Sequence, residues 1–172
     1  MVNRWLPYQV ASCRLSRAPP STKPAERTGS AISCKTLWRW SMRSPDAARA
    51  HLLTAAAHQF VEGDVQHWWH PPLGRGTRTR FSDDYLWLPL VVAQYVSVTG
   101  DRTVLDESAP FLTSPPLEPK EHERYELPTR SEESASLYEH CLRTLRRRVR
   151  TGPHGLPLMG CGDWNDGMNR DR

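Results

Sequence analysis

Three observations predict an all-α fold in which helices joined by long loops form part of a barrel or toroid. Apolar residues recur at helical spacing in three stretches after residue 43. No stretch shows the apolar–polar alternation of a half-buried strand. The residues with chemical potential (Trp, His, Arg, Asp) fall in loops or at helix starts, where a helical scaffold would hold a site.

The first helix opens at Ser44-Pro45-Asp46, an N-cap, a proline at the first helical position and an early acid. Leu52, Leu53, Ala56 and Phe60 give it an apolar stripe. Residues 61–82 read as a polar, aromatic, glycine-containing loop. A second helix starts at Ser82-Asp83-Asp84 and runs through Leu86, Leu88, Leu90, Val91, Tyr95 and Val96 to Gly100. Its apolar residues lie nearly all round, which predicts deep burial. A short helix is expected over residues 101–107 and a Pro-rich loop over residues 109–130. Ser131 with Glu132 and Glu133 is expected to open the last helix, with Leu137, Cys141, Leu142, Leu145 and Val149 on one face. Gly152 and Pro153 stop it.

The chain divides near residue 43. Residues 15–42 are dominated by Ser, Thr, Arg, Pro and Lys and show no helical or strand period, so residues 1–43 read as a degraded or disordered N-terminal segment. Over the 172 residues, 38% are hydrophobic and 15 are proline. With a mean hydropathy of -0.65, this points to an incomplete unit more than to a self-sufficient domain.

The net charge is +4, so nucleic-acid binding has to be weighed. The densest basic run (Arg143, Arg146, Arg147, Arg148, Arg150) closes a predicted helix, where the dipole favours cations, and no nucleic-acid partner is expected. Cys13, Cys34, Cys141 and Cys161 show no CxxC spacing and read as isolated reduced thiols of a cytoplasmic protein. No signal peptide is visible. The longest apolar run, residues 85–98, contains Pro89 and is too short to span a bilayer.

Three constellations carry chemistry. Gly162-Asp163-Trp164-Asn165-Asp166-Gly167 places two carboxylates beside an aromatic ring in a glycine-bounded loop. A ring to stack a sugar beside an acid that can protonate a glycosidic oxygen suits glycoside-bond chemistry; an Asx-rich turn with a core Trp accounts for the same residues. In Arg78-Thr79-Arg80-Phe81-Ser82-Asp83-Asp84, an Arg and an Asp at one loop–helix junction can grip vicinal hydroxyls. Capping explains Ser82 and Asp83 but not the paired arginines. His67-Trp68-Trp69-His70 has histidines three apart, but no further ligand at matching spacing, and no metal is expected. The tryptophans read as a sugar-stacking wall or as packing under a loop.

Together with Gly63-Asp64-Val65-Gln66, Pro71-Pro72, Gly74-Arg75-Gly76, Leu86-Trp87-Leu88-Pro89, Pro115-Pro116-Leu117-Glu118-Pro119, Glu139-His140-Cys141 and His154-Gly155-Leu156-Pro157-Leu158, these motifs resemble the catalytic domain of glycoside hydrolase family 94. This is the family of cellobiose phosphorylase, and the likeness is strongest to its version at the C-terminal end of cyclic β-1,2-glucan synthases. The resemblance covers residues 44–172. It implies a partial (α/α)6 barrel and inverting phosphorolysis of a β-glucoside. By resemblance Asp166 is the general acid, Asp163 has a structural or supporting role, and Trp164, Arg78 and Asp84 match positions that hold the sugar; Trp68, read above as a stacking wall, is counted with them as substrate-binding. The implied partners are a β-glucan oligosaccharide and inorganic phosphate as co-substrate, with no other cofactor. The family's phosphate-binding residues lie downstream of this loop, so a fragment with little or no activity of its own is expected, on the cytoplasmic side of the inner membrane if part of a synthase. A non-catalytic carbohydrate-binding remnant that stacks sugar on Trp68, Trp69 and Trp164 is the rival reading. Asn3-Arg4-Trp5-Leu6, Tyr8-Gln9 and Cys13-Arg14-Leu15 also resemble the family. Between Ser21 and Trp38 the likeness vanishes, as two compensating frameshifts would cause.

Overall fold

The computed structural model describes residues 28–29, 44–149 and 151–156 of the 172. Among these, three α-helices accompany two antiparallel sheets, one four-stranded and one two-stranded. The chain is therefore mixed α/β, and the all-α expectation is corrected.

The helical layer follows the apolar periodicity. Helix α1 (Pro45–Ala56) starts with the Ala48 N–H donating to the Ser44 carbonyl at 3.0 Å; the Ser44 hydroxyl makes no capping bond. Helix α2 (Asp84–Thr99) begins after Asp83 and stops at Gly100, whose φ of 72° is the left-handed conformation that glycine adopts without a Cβ penalty. Ala48, Leu52, Ala55 and Ala56 of α1 meet Leu88, Val91, Val92 and Tyr95 of α2 in one core. Only one side of α2 is covered: Leu86 is 41%, Leu90 54% and Val98 38% exposed, so its expected all-round burial is not met.

The loop expected over residues 61–82 contains a β-hairpin. Strand β2 (Gln66–His70) turns through Gly74, at φ 77°, into β3 (Arg75–Thr79). Thr28–Gly29 (β1) pairs with Trp69 and Trp68 on the outer edge of β2. The Pro-rich stretch holds two more strands, β4 (Ser108–Thr113) and β5 (Glu123–Glu126), and β5 extends the hairpin sheet by pairing with β3. Gly76 makes the hairpin possible, because a Cβ there would lie 2.1 Å from the Trp68 carbonyl oxygen.

The helix expected from Ser131 starts six residues later. Residues Thr129–Ser136 form β6, which pairs with β4, a strand whose Ala109 and Phe111 are buried. Helix α3 (Leu137–Arg148) then opens at Ser136, whose hydroxyl accepts the Glu139 N–H at 3.3 Å. Leu137, His140, Cys141 and Thr144 form its buried face. A 3-10 turn, Thr103–Asp106, replaces the short helix over residues 101–107. Among the described residues no helix is long and apolar enough to cross a membrane.

The arginine run of α3 makes internal contacts. Arg143 pairs with Glu133 at 2.5 Å, donates to the Val61 carbonyl at 3.1 Å and lies 4.3 Å over the Phe111 ring. Arg146 pairs with Glu139 at 3.3 Å, and Arg147 reaches Asp64 at 2.9 Å. Arg148 donates to the Ser82 hydroxyl. Arg143 thus ties α3 to β6, and Arg147 and Arg148 tie it to residues flanking the hairpin, while the Arg146 pair lies within α3 itself.

Candidate functional site

The two faces of the hairpin sheet separate the sequence-predicted residues. Strand β2 carries one extra residue relative to β3: Gln66 lies opposite Arg78 and Trp68 opposite Thr77, with His67 as the bulge. A bulge re-aims a side chain and is common beside binding sites. Here it turns His67 to the same face as Trp68, toward the start of α2.

On that face Asp84 is buried, with 2% of its surface exposed. Its carboxylate accepts from His67 Nδ1 at 3.0 and 2.9 Å and from the Thr79 hydroxyl at 2.9 Å. Thr79 is fixed in turn, its carbonyl accepting the Tyr85 hydroxyl at 3.1 Å. With Nδ1 facing the carboxylate, the His67 ring orientation is set by the protein. Burial opposes a charge on His67, but the hydrogen bond it donates to Asp84 and the negative charges of Asp84, Asp83 and Glu123 outweigh it and raise the His67 pKa. The Phe81 ring meets the imidazole edge-on at 5.2 Å between centroids. Trp68 continues this face and packs its ring against Tyr125 at 5.3 Å and His70 at 5.1 Å.

Arg78 is on the opposite face and fully buried. All three guanidinium nitrogens donate within the protein. Nε and Nη2 reach Asp64 at 3.0 and 2.6 Å, Nη2 reaches Glu62 at 3.1 Å, and Nη1 reaches the Ser114 hydroxyl and carbonyl at 3.1 and 3.3 Å. The Phe60 ring lies 4.0 Å below. Asp64, 2% exposed, also holds Arg147 at 2.9 Å and Tyr85 at 3.4 Å, so one carboxylate joins the hairpin sheet to α2 and α3.

The second arginine of the pair also holds backbone. Arg80 donates to the Leu117 and Glu118 carbonyls at 2.7 and 2.8 Å, and Arg124, paired in register with Arg78, donates to those of Pro115 and Pro116 at 2.7 and 3.2 Å. Proline has no N–H, so this loop cannot complete a ladder of its own; its carbonyls find guanidinium donors instead. The paired arginines, which capping leaves unexplained, thus have a structural role. Their alternation was legible in the sequence, but the carbonyls that Arg80 holds lie some 37 residues away and the carboxylates that Arg78 holds lie on the preceding loop.

Trp69 alternates to the buried face, 2% exposed, with its ring stacked on His58 at 3.7 Å. It is core and offers no sugar-stacking surface, contrary to the rival reading. Among the described residues no group of three or more His, Cys, Asp or Glu is placed to hold a metal. Asp163, Trp164 and Asp166 lie outside the described residues. The structure thus brings Asp84 and Trp68 to one face, joined by His67, which sequence reasoning had weighed only as a metal ligand. The other residue it missed there is Tyr125, hidden in what read as a Pro-rich loop.

Residues 1–172 match the glycosyl hydrolase 94 superfamily, catalytic domain, and the chain belongs to that family. Among curated relatives, it is 45% identical over 171 residues to the cyclic beta-(1,2)-glucan synthase NdvB of Rhizobium meliloti (strain 1021), covering 99% of this chain and 6% of that protein. It is 25% identical over 170 residues to solabiose phosphorylase of Paenibacillus borealis, covering 98% of this chain and 18% of that protein. It is 26% identical over 135 residues to 3-O-beta-D-glucopyranosyl-beta-D-glucuronide phosphorylase of the same organism, covering 76% of this chain and 15% of that protein. The chain thus spans less than a fifth of the length of each relative.

Proposed function

We propose that this chain is part of a glycosyl-transferring domain of β-1,2-glucan metabolism, one that phosphorolyses β-glucosides with inversion. The observation that carries the reading is the whole-chain family match, with 45% identity to a cyclic β-(1,2)-glucan synthase. The face that carries His67 and Trp68, with the Asp84 carboxylate buried behind the imidazole, supports it, since a fixed polar group beside an aromatic ring suits a glucosyl unit.

In this reading Asp166 is the general acid that protonates the leaving glycosidic oxygen, and phosphate attacks the anomeric carbon from the opposite side. Attack from that side inverts the centre and needs no base, because phosphate is already an anion. Trp68 and Trp164 hold the glucosyl unit, and the buried Asp84 serves it by fixing His67. Arg78 serves it from beneath, by fixing Asp64 and the 114–115 backbone. Inorganic phosphate is the co-substrate. Acid and phosphate must act in the same transition state. A chain equivalent to 18% of a phosphorylase therefore releases little or no glucose 1-phosphate by itself.

The test is an assay of glucose 1-phosphate released from β-1,2-glucooligosaccharides and phosphate, run on the chain alone and on a full-length relative carrying the same residues. Robust turnover by the chain alone refutes its dependence on the remainder. In the full-length protein, replacement of the acid corresponding to Asp166 by Asn should abolish phosphorolysis and spare binding; activity that survives removes Asp166 from the role. The rival carbohydrate-binding remnant predicts no turnover in either setting. Reading the coding DNA of residues 15–42 tests the frameshift proposal, which an intact frame with unrelated codons would sink.

A further inference from the structure

We propose that Tyr125 joins Trp68 in an aromatic platform that stacks a glucosyl ring of the β-glucan, a contact additional to the groups around Asp84. The inference rests on the carbohydrate reading above and names a residue of the site that it leaves unassigned. Strand register brings the two rings together. Trp68 of β2 lies opposite Thr77 of β3, and Thr77 lies opposite Tyr125 of β5. Residues in one such row stand on the same face of a sheet. The outer two are aromatic and the middle one is small. The rings therefore close over Thr77, leaving it 5% exposed, and approach to 5.3 Å with an interplanar angle of 33°.

The result is a shallow, tilted pair of rings. Tyr125 keeps 51% of its surface exposed although it sits in the middle of a paired strand. Singly exposed apolar side chains are ordinary, but this ring lies against a second aromatic ring, so the two form one patch. The rim of the platform is polar. The Arg75 guanidinium lies 5.9 Å from the Tyr125 ring centroid, and His70 meets the two rings edge-on at 5.1 and 6.3 Å. The buried Nδ1 of His70 has no hydrogen-bond partner. A β-linked glucosyl ring matches this combination. Its axial C–H groups form an apolar face for an aromatic ring, while its equatorial hydroxyls point outward to donors such as Arg75. The same sheet face carries His67, held by the buried Asp84, one residue from Trp68, so a chain of sugars lying along the face would meet both the platform and the imidazole.

The experiment is calorimetric titration of the full chain with a β-1,2-linked glucotetraose, a β-1,4-linked glucotetraose and an α-1,4-linked glucotetraose. The variants are Tyr125→Ala and Tyr125→Phe, with thermal melting as the check on folding; Tyr125 is half-exposed, so both should melt with the parent. The expected result is binding of the β-1,2-glucan, a rise in Kd of about tenfold for Tyr125→Ala, and less than about twofold for Tyr125→Phe, since only the ring face is used. Parent-like affinity of Tyr125→Ala for the β-1,2-glucan overturns the platform and leaves the carbohydrate reading intact. Tyr125-dependent binding of the β-1,4-glucan alone supports the platform and overturns the β-1,2 assignment. A parent that binds no glucan overturns both. Self-association of the parent that Tyr125→Ala abolishes, with sugar affinity unchanged, makes the patch a contact between copies of the chain and overturns the platform.

Discussion

Arg78 distinguishes two ways in which an arginine can serve a sugar site. A guanidinium that grips hydroxyls directly contributes to affinity and little to folding. One that organises the interior contributes to folding first. Its complete burial and its bonds to Asp64, Glu62 and Ser114 place it in the second class. Replacing Arg78 by Met keeps much of the volume and removes the fork. Asp64, 2% exposed, is then left with Arg147 and Tyr85, of which Arg147 is half-exposed. Removing one partner of a buried ion pair costs about 3–5 kcal/mol. The surviving Arg147 contact puts the expectation at the lower end, about 3 kcal/mol, or about 6–12 °C in Tm for a chain of this size. Urea unfolding of the full chain, followed by tryptophan fluorescence, measures it. Arg78→Lys should recover less than half of the loss, because an ammonium cannot hold Asp64 and Ser114 at once. A loss below about 1 kcal/mol, with glucan affinity abolished, would refute the reasoning and return Arg78 to the sugar.

The same geometry gives three further expected outcomes. Gly76→Ala sets a Cβ 2.1 Å from the Trp68 oxygen and 2.8 Å from the Trp69 Cα, both backbone, so the hairpin must open. A cost of about 3 kcal/mol is expected, against about 1–2 kcal/mol for Gly74→Ala, where only the positive φ is at issue; equal effects in denaturation curves would contradict this. The raised pKa of His67 means that its pairing with Asp84 stabilises the fold fully below the unfolded pKa of about 6.5 and loses that effect as pH rises through the folded value. The stability gap between parent and His67→Gln should therefore be wider at acid than at alkaline pH, and a gap that widens with rising pH is the contrary result. Burial pushes the Cys141 thiol up to about 12, so the peptide bearing it should stay unlabelled by iodoacetamide at pH 8 until urea unfolds the chain; labelling in the folded state, read by mass spectrometry, would count against its place in the core.

The helices were legible and the sheets were not, for a definite reason. Helices α1 and α2 carry signals within their own spans: Pro45 at the start of one, and Gly100 at the end of the other with a dense apolar run between. Strand β2 has none. Its five residues are Gln, His, Trp, Trp and His, and the bulge at His67 breaks the alternation that would have revealed it. Strand β6 is worse, since its Ser-Glu-Glu run imitates a helix start. That local preference loses to pairing with β4, which runs from Ser108 opposite Ser136 to Thr113 opposite Thr129. The true start was present as Ser136-Leu137-Tyr138-Glu139, the sequence pattern of a capping box, of which the Ser136 hydroxyl's bond to the Glu139 N–H is formed. The site divides in the same way. Asp84 and Trp68 could be named from their motifs, but the split that puts Arg78 beneath the sheet is a matter of register. A one-residue step exchanges the faces of a strand, and the sequence offers no count of residues across strands. The arginines that hold residues 115–118 are a case of the same kind. The Pro-rich loop and Arg78-Thr79-Arg80 are separately conspicuous and mutually explanatory, and only the pairing of β3 with β5 makes them one feature.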